Sequence, residues 1–178
     1  MMHGPAARLR CPATYAVLAC GLLAAAPTGA QPIDYDPRRA QELRECDDHQ
    51  HRGRLDEAHQ CYSQLLGGSN LMRQAEAVWA LGDVRSANKL FERAVQLNAR
   101  AVQPRVRWGR LYMQTHQYAE AVELFREALS VAPDDAQAKL GLAHVFAERF
   151  EGQAKPLLEE VLKQDGELTE AHLLAARM

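Results

Sequence analysis

Two alanine–aromatic pairs, Ala87 with Phe91 and Ala121 with Phe125, are separated by one interval of about 34 residues. A third pair, Ala58 with Tyr62, precedes Ala87 by a shorter interval, and Ala154 follows Ala121 at nearly the full one. A period of this length means that one small unit is copied along the chain, so the fold is a stack of similar pieces. Within the best-formed unit, apolar and small residues recur at helical spacing. Val106, Gly109, Tyr112 and Met113 mark one helix, and Ala121, Leu124, Phe125, Ala128 and Leu129 a second. Thr115-His116-Gln117 between them allows only a turn joining antiparallel helices. Pro133 bars continuation of the second helix, and Asp134-Asp135 favour the start of the next. A helix of about 13 residues is ~20 Å long and marginal in isolation, so each hairpin depends on its neighbours.

The remaining units are less regular. The first is expected to lose residues around Gly67-Gly68-Ser69-Asn70 and places Cys46 at the small-residue position. The fourth carries Gly141-Leu142-Ala143 in a shifted order and Pro156 near the start of its second helix. Leu168 to Met178 reads as one further amphipathic helix. It fits two descriptions: a cap closing the stack, or the front half of another unit.

The segment RVRWGRLYMQTHQYAEAVELFREALSVAPDD, Arg105 to Asp135, resembles the tetratricopeptide repeat family. Trp108-Gly109, Tyr112, Ala121, Phe125, Ala128 and Pro133 carry the likeness, which extends more weakly over residues 39–178. The resemblance implies an all-α fold, a right-handed α-solenoid of stacked antiparallel helix pairs, about four repeats plus a terminal helix. It also implies a non-catalytic protein–protein interaction scaffold, whose first helices line a concave groove for a peptide or partner protein. Carried over unit by unit, that groove would show Asp47 and Gln50, then Met72, Glu76 and Trp79. It would continue with Val106, Arg110, Met113 and Gln114, and then Leu140, His144 and Glu148. Trp79 with Met113 is the expected anchor, because aromatic and thioether side chains dominate binding at such surfaces. The alternative is that Trp79 packs against the adjoining helix. The lysine–asparagine clamp by which some family members hold a C-terminal carboxylate is absent, which disfavours chaperone-tail binding.

The first thirty residues follow a different logic. Arg8 and Arg10 lie in a start without acids, Tyr15 to Ala26 runs twelve residues without charge, and Thr28-Gly29-Ala30 supplies small residues. This is the pattern of a secretory signal, and twelve residues span only ~18 Å of a ~30 Å membrane core. The expected organisation is therefore a signal peptide over 1–30, a flexible leader over 31–38 and the repeat domain over 39–178, in an exported protein, periplasmic or secreted. Val17-Leu18-Ala19-Cys20 offers a competing reading, a lipid anchor on Cys20. Loss of residues 1–30 leaves Cys46 and Cys61 as the remaining cysteines. In an oxidising compartment an even pair is a candidate disulfide, which stabilises by ~3 kcal/mol for a loop of about 15 residues. Two buried thiols would satisfy the same positions. A zinc site from Cys46, His49, His59 and Cys61 matches no common spacing, so no metal and no cofactor are expected.

A net charge of −2 gives no general affinity for nucleic acid, and protein or peptide is the expected partner class. The charge is uneven, with Arg93, Arg100, Arg105, Arg107 and Arg110 standing in a stretch without acids. These arginines read either as a positive strip for an anionic partner or as ion-pair partners of neighbouring helices. No nucleophile elbow, zinc-protease helix or phosphate loop occurs, so the chain is not expected to be an enzyme. The alternative is a docking segment at the front of a longer exported hydrolase or peptidase.

Overall fold

The computed structural model describes residues 41–149 and 152–178; the expected signal, the leader and Cys20 lie outside them. Among the described residues there are nine helices and no strand. They are α1 (Gln41–His51), α2 (Leu55–Gln64), α3 (Leu71–Ala80), α4 (Val84–Leu97), α5 (Val102–Gln114), α6 (Tyr118–Val131), α7 (Ala136–Glu148), α8 (Ala154–Gln164) and α9 (Thr169–Arg177). Consecutive helices pack as antiparallel pairs, each pair packs on the next, and α9 packs against α8. The result is an all-α helical-repeat solenoid. Among the described residues, no helix is long and apolar enough to cross a membrane.

Local chemistry sets the helix limits. Asn70, Asp83 and Asp135 each accept the backbone N–H three residues on, from Arg73, Ser86 and Ala138. Each bond satisfies one of the orphan donors at a helix start. The bonds from Ser86 hold the Asp83 carboxyl below its usual range. Pro104 and Pro156 are both third residues of their helices, where a missing N–H costs nothing.

The packing explains why the period contains small residues. Phe125 on α6 is fully buried between Gly109 on α5 and Gly141 on α7. A Cβ would come within 2.7 Å of its ring from Gly109 and 2.4 Å from Gly141. Gly141 is therefore no displaced copy of the Gly109 position. Ala143, one full period after Gly109, fills that position and packs with Leu158 and Val161 inside its own pair. Gly141 instead admits the phenyl ring of the preceding pair. The earlier ring, Phe91, is enclosed by Ala75, Trp79, Ala87 and Leu111.

The shortening of the first period falls around the glycine loop, in the helix ends that flank it. Helix α2 has 10 residues against 14 in α4 and α6, and α3 has 10 against 13 in α5. The connection over 65–70 is longer than the four-residue links over 98–101 and 132–135.

Candidate functional site: the concave face

First helices of successive pairs turn one face outward, and α1, α3, α5, α7 and α9 together line a cavity of about 760 Å³. Glu76, Arg110 and His144 follow one another at exact multiples of the period and so occupy the same step of three successive helices. Asp47 takes the same step in the shortened first unit, the interval to Glu76 matching that from Ala58 to Ala87. The repeat thus projects one polar ladder along the groove floor.

The cavity wall includes Asp47, Gln50, Glu76, Trp79, Arg110, Met113, Gln114, His144 and Glu148. Met72 is not among its lining residues. It sits one turn before Ala75 and Glu76 and packs against the cluster around Phe91. Val106 and Leu140 are fully buried in the core.

Of the two readings of Trp79, packing against the adjoining helices is the one its contacts match. It is only 6% exposed, its indole N–H donates to Gln114 Oε1 at 2.6 Å, and its ring meets Phe91 edge-on at 6.1 Å. The Arg107 guanidinium lies 5.2 Å from the ring centroid, a favourable cation–π placement. Trp79 is therefore part of the wall. Hydrophobic burial and a satisfied N–H outweigh exposure for so large a side chain.

Three of the five arginines, Arg105, Arg107 and Arg110, form cross-links between helices, while Arg93 and Arg100 are exposed. Arg105 bonds Glu127 at 3.1 Å and the Ala101 carbonyl at 2.8 Å. Arg107 on α5 forms a two-pronged ion pair with Glu76 on α3, both side chains almost wholly buried. Burial, with the nearby Arg110, pushes the Arg107 guanidinium well below its usual pKa, and Glu170 opposes that shift. Planar, two-pronged pairing suits arginine in such a place. Arg110 reaches two helices at once, bonding Gln137 on α7 and Glu170 on α9, the latter at 2.9 Å. His144 Nε2 lies 3.4 Å from the same Glu170 carboxylate. Burial alone would raise the Glu170 carboxyl, but His144 and Arg110 together hold it at about 2.

At the opposite end, Cys46 and Cys61 are joined in a disulfide with their Cα atoms 5.4 Å apart. With both sulfurs bonded to each other, the alternative zinc arrangement has no thiolate ligand. Beside the bridge, the Tyr62 hydroxyl bonds Asp47 at 2.5 Å and lies 3.1 Å from Gln50 Oε1, fixing the first rung of the ladder.

Several wall residues carry no signal in the sequence pattern. His51, His116 and Tyr118 belong to turns or their edges, where helical register carries no message. Glu170, Leu173, Ala176 and Arg177 come from α9. Treating Leu168 to Met178 as one more first helix would have placed α9 in the wall.

Two family models, each describing a tetratricopeptide repeat, match residues 43–105 and 78–145. No curated protein sequence matches the chain. The fold is similar to that of TTC0263, a thermophilic TPR protein of Thermus thermophilus, with a TM-score of 0.60 and 16% identity over 76% of this chain and 78% of that one. It is similar also to YrrB, a TPR protein with an unusual peptide-binding site, with a TM-score of 0.56 and 18% identity over 77% of this chain and 73% of that one. MamA from Desulfovibrio magneticus RS-1 gives a TM-score of 0.53 at 18% identity, over 78% of this chain and 86% of that one. Stacked hairpins, small residues at their crossings and two overlapping family matches agree, and the chain belongs to the tetratricopeptide repeat family.

Proposed function

We propose that this protein is an exported, non-catalytic scaffold that docks an extended segment of a partner protein along its concave face. The observation that carries the reading is the cavity of about 760 Å³ framed by five first helices. Its volume falls in the range of sites that bury small ligands or short peptide segments. Its wall offers Met113 and, on α9, Leu173, which is 54% exposed. YrrB, which has the same fold, has a peptide-binding site. Export rests on the basic start and apolar run of the first thirty residues.

Five ionisable groups of the wall have a structural role. Arg107 is committed to Glu76, and Arg110 and His144 share Glu170. These pairings hold helices together.

Selection of a random dodecapeptide library on the immobilised full chain tests the reading. Peptides should be recovered, and Leu173→Glu should weaken their binding at least about tenfold while the melting temperature stays unchanged. Recovery of no peptide, or of peptides indifferent to Leu173→Glu, defeats the proposal.

A further inference from the structure

The turn inside each of the first three helix pairs holds one residue in the left-handed region. In the first pair it is Gly53 at φ 74°, and in the second Gly82 at φ 88°. In the third it is His116 at φ 59°, the one non-glycine residue with positive φ among the described residues. The three positions are in register, His116 following Gly82 by one full period and Gly82 following Gly53 by the shorter first one.

Glycine holds the first two turns for its backbone and not for space, since a Cβ on Gly53 or Gly82 would meet nothing within 4 Å. An L side chain in this region crowds its own carbonyl oxygen, a cost that glycine does not bear. His116 therefore works against folding at a position where glycine is suited. Such strain persists at places where the side chain serves another purpose.

The local contacts of His116 do not supply that purpose. Its Nδ1 lies 2.9 Å from the Tyr118 hydroxyl oxygen, and the rings meet edge-on at 5.8 Å. The bond is exposed, so water competes for it and its net contribution is small. Both side chains, however, line the concave cavity. When the Tyr118 O–H donates to Nδ1, the imidazole is held in the tautomer that carries its proton on Nε2. The pair then offers two flat rings and one oriented N–H donor. Rigid aromatic groups with a polar edge give contact area at low entropic cost.

We infer that His116 and Tyr118 are binding residues for the peptide in the groove. Their rings pack on the peptide, and His116 Nε2–H donates to one of its main-chain carbonyls. This rests on the groove reading given above, so the experiment separates the two.

The probe is a dodecapeptide selected on the wild-type full chain, tested against His116→Gly, His116→Asn and Leu173→Glu. Asparagine tolerates the left-handed region and keeps the turn without the imidazole. His116→Gly is expected to melt at or above the wild-type temperature and to bind the peptide at least about tenfold more weakly. His116→Asn should lose binding to a similar degree. A His116→Gly variant that melts below wild type overturns the inference, because the imidazole would then be a structural support. A peptide released by Leu173→Glu but held equally well by His116→Gly and wild type also overturns it, and leaves the groove reading standing. A peptide insensitive to all three variants, or no peptide at all, overturns both.

Discussion

At the first helix pair a covalent bond adds to the packing of α1 on α2, whereas at α9 an ion-pair cluster adds to its packing on α7 and α8. The Cys46–Cys61 bridge joins the two helices of the first pair, where α2 is four residues shorter than α4 and buries less. Helix α9 has nine residues, of which Ala171 and Leu174 are buried, and it adds Glu170 paired with Arg110 and His144. The two regions are held by different physics. A disulfide acts largely by restricting the unfolded chain, whereas the Glu170 contacts act only while that carboxylate is ionised. The difference teaches that two regions of one solenoid can be fastened independently, and that each fastening has its own sensitivity.

The middle sets the scale for this comparison. Phe125→Ala should cost about 4 kcal/mol in denaturant unfolding, because it empties the space between Gly109 and Gly141. A cost smaller than that of opening either region would reverse the proposed order of contributions. Next in size, Cys46→Ser with Cys61→Ser should cost about 3 kcal/mol on the chain-entropy account. That loss should be the same at pH 3 and pH 7, measured by thermal unfolding at both.

Opening the α9 region should depend on pH. The Glu170 carboxyl is lowered from 4.5 to about 2 in the fold, so its contribution is fully present above 4.5 and disappears as pH falls towards 2. Glu170→Gln should therefore remove about 2 kcal/mol at neutral pH and flatten the loss of stability over that acid range. A Cys46→Ser/Cys61→Ser variant that also lost this acid response would show the two regions to be coupled. The smallest effect is expected from Leu173→Glu, under about 0.5 kcal/mol, since the side chain is already exposed and lies off the α9 contacts.

The architecture was legible because the signals that define it are local or periodic. Capping aspartates, the turn at Thr115 to Gln117, and Phe125 beside small residues all act within one hairpin or between adjacent ones. The polar ladder of Asp47, Glu76, Arg110 and His144 was legible for the same reason, since equal spacing puts residues on equal steps. Trp79 and the arginines were not legible in the same way. Whether an indole on a first helix is an anchor or a wall depends on Gln114, 35 residues on, and on the Arg107 guanidinium. The fate of Arg110 depends on Glu170, 60 residues away and outside any repeat register. Gly141 looks displaced in the sequence because its partner, Phe125, belongs to the preceding pair.

The sequence by itself determined that the chain is helical, repeated and built of antiparallel hairpins, because those properties follow from periodicity and from turn chemistry over a few residues. Only the tertiary structure decided which groove-facing charges are consumed in cross-links and which surfaces stay open. Such choices depend on the rotation between successive pairs, which brings together side chains that no fixed interval relates. That rotation places Glu170 beside Arg110 and brings the strained His116 to the wall of the cavity, while the crossing of α1 and α2 joins Cys46 to Cys61.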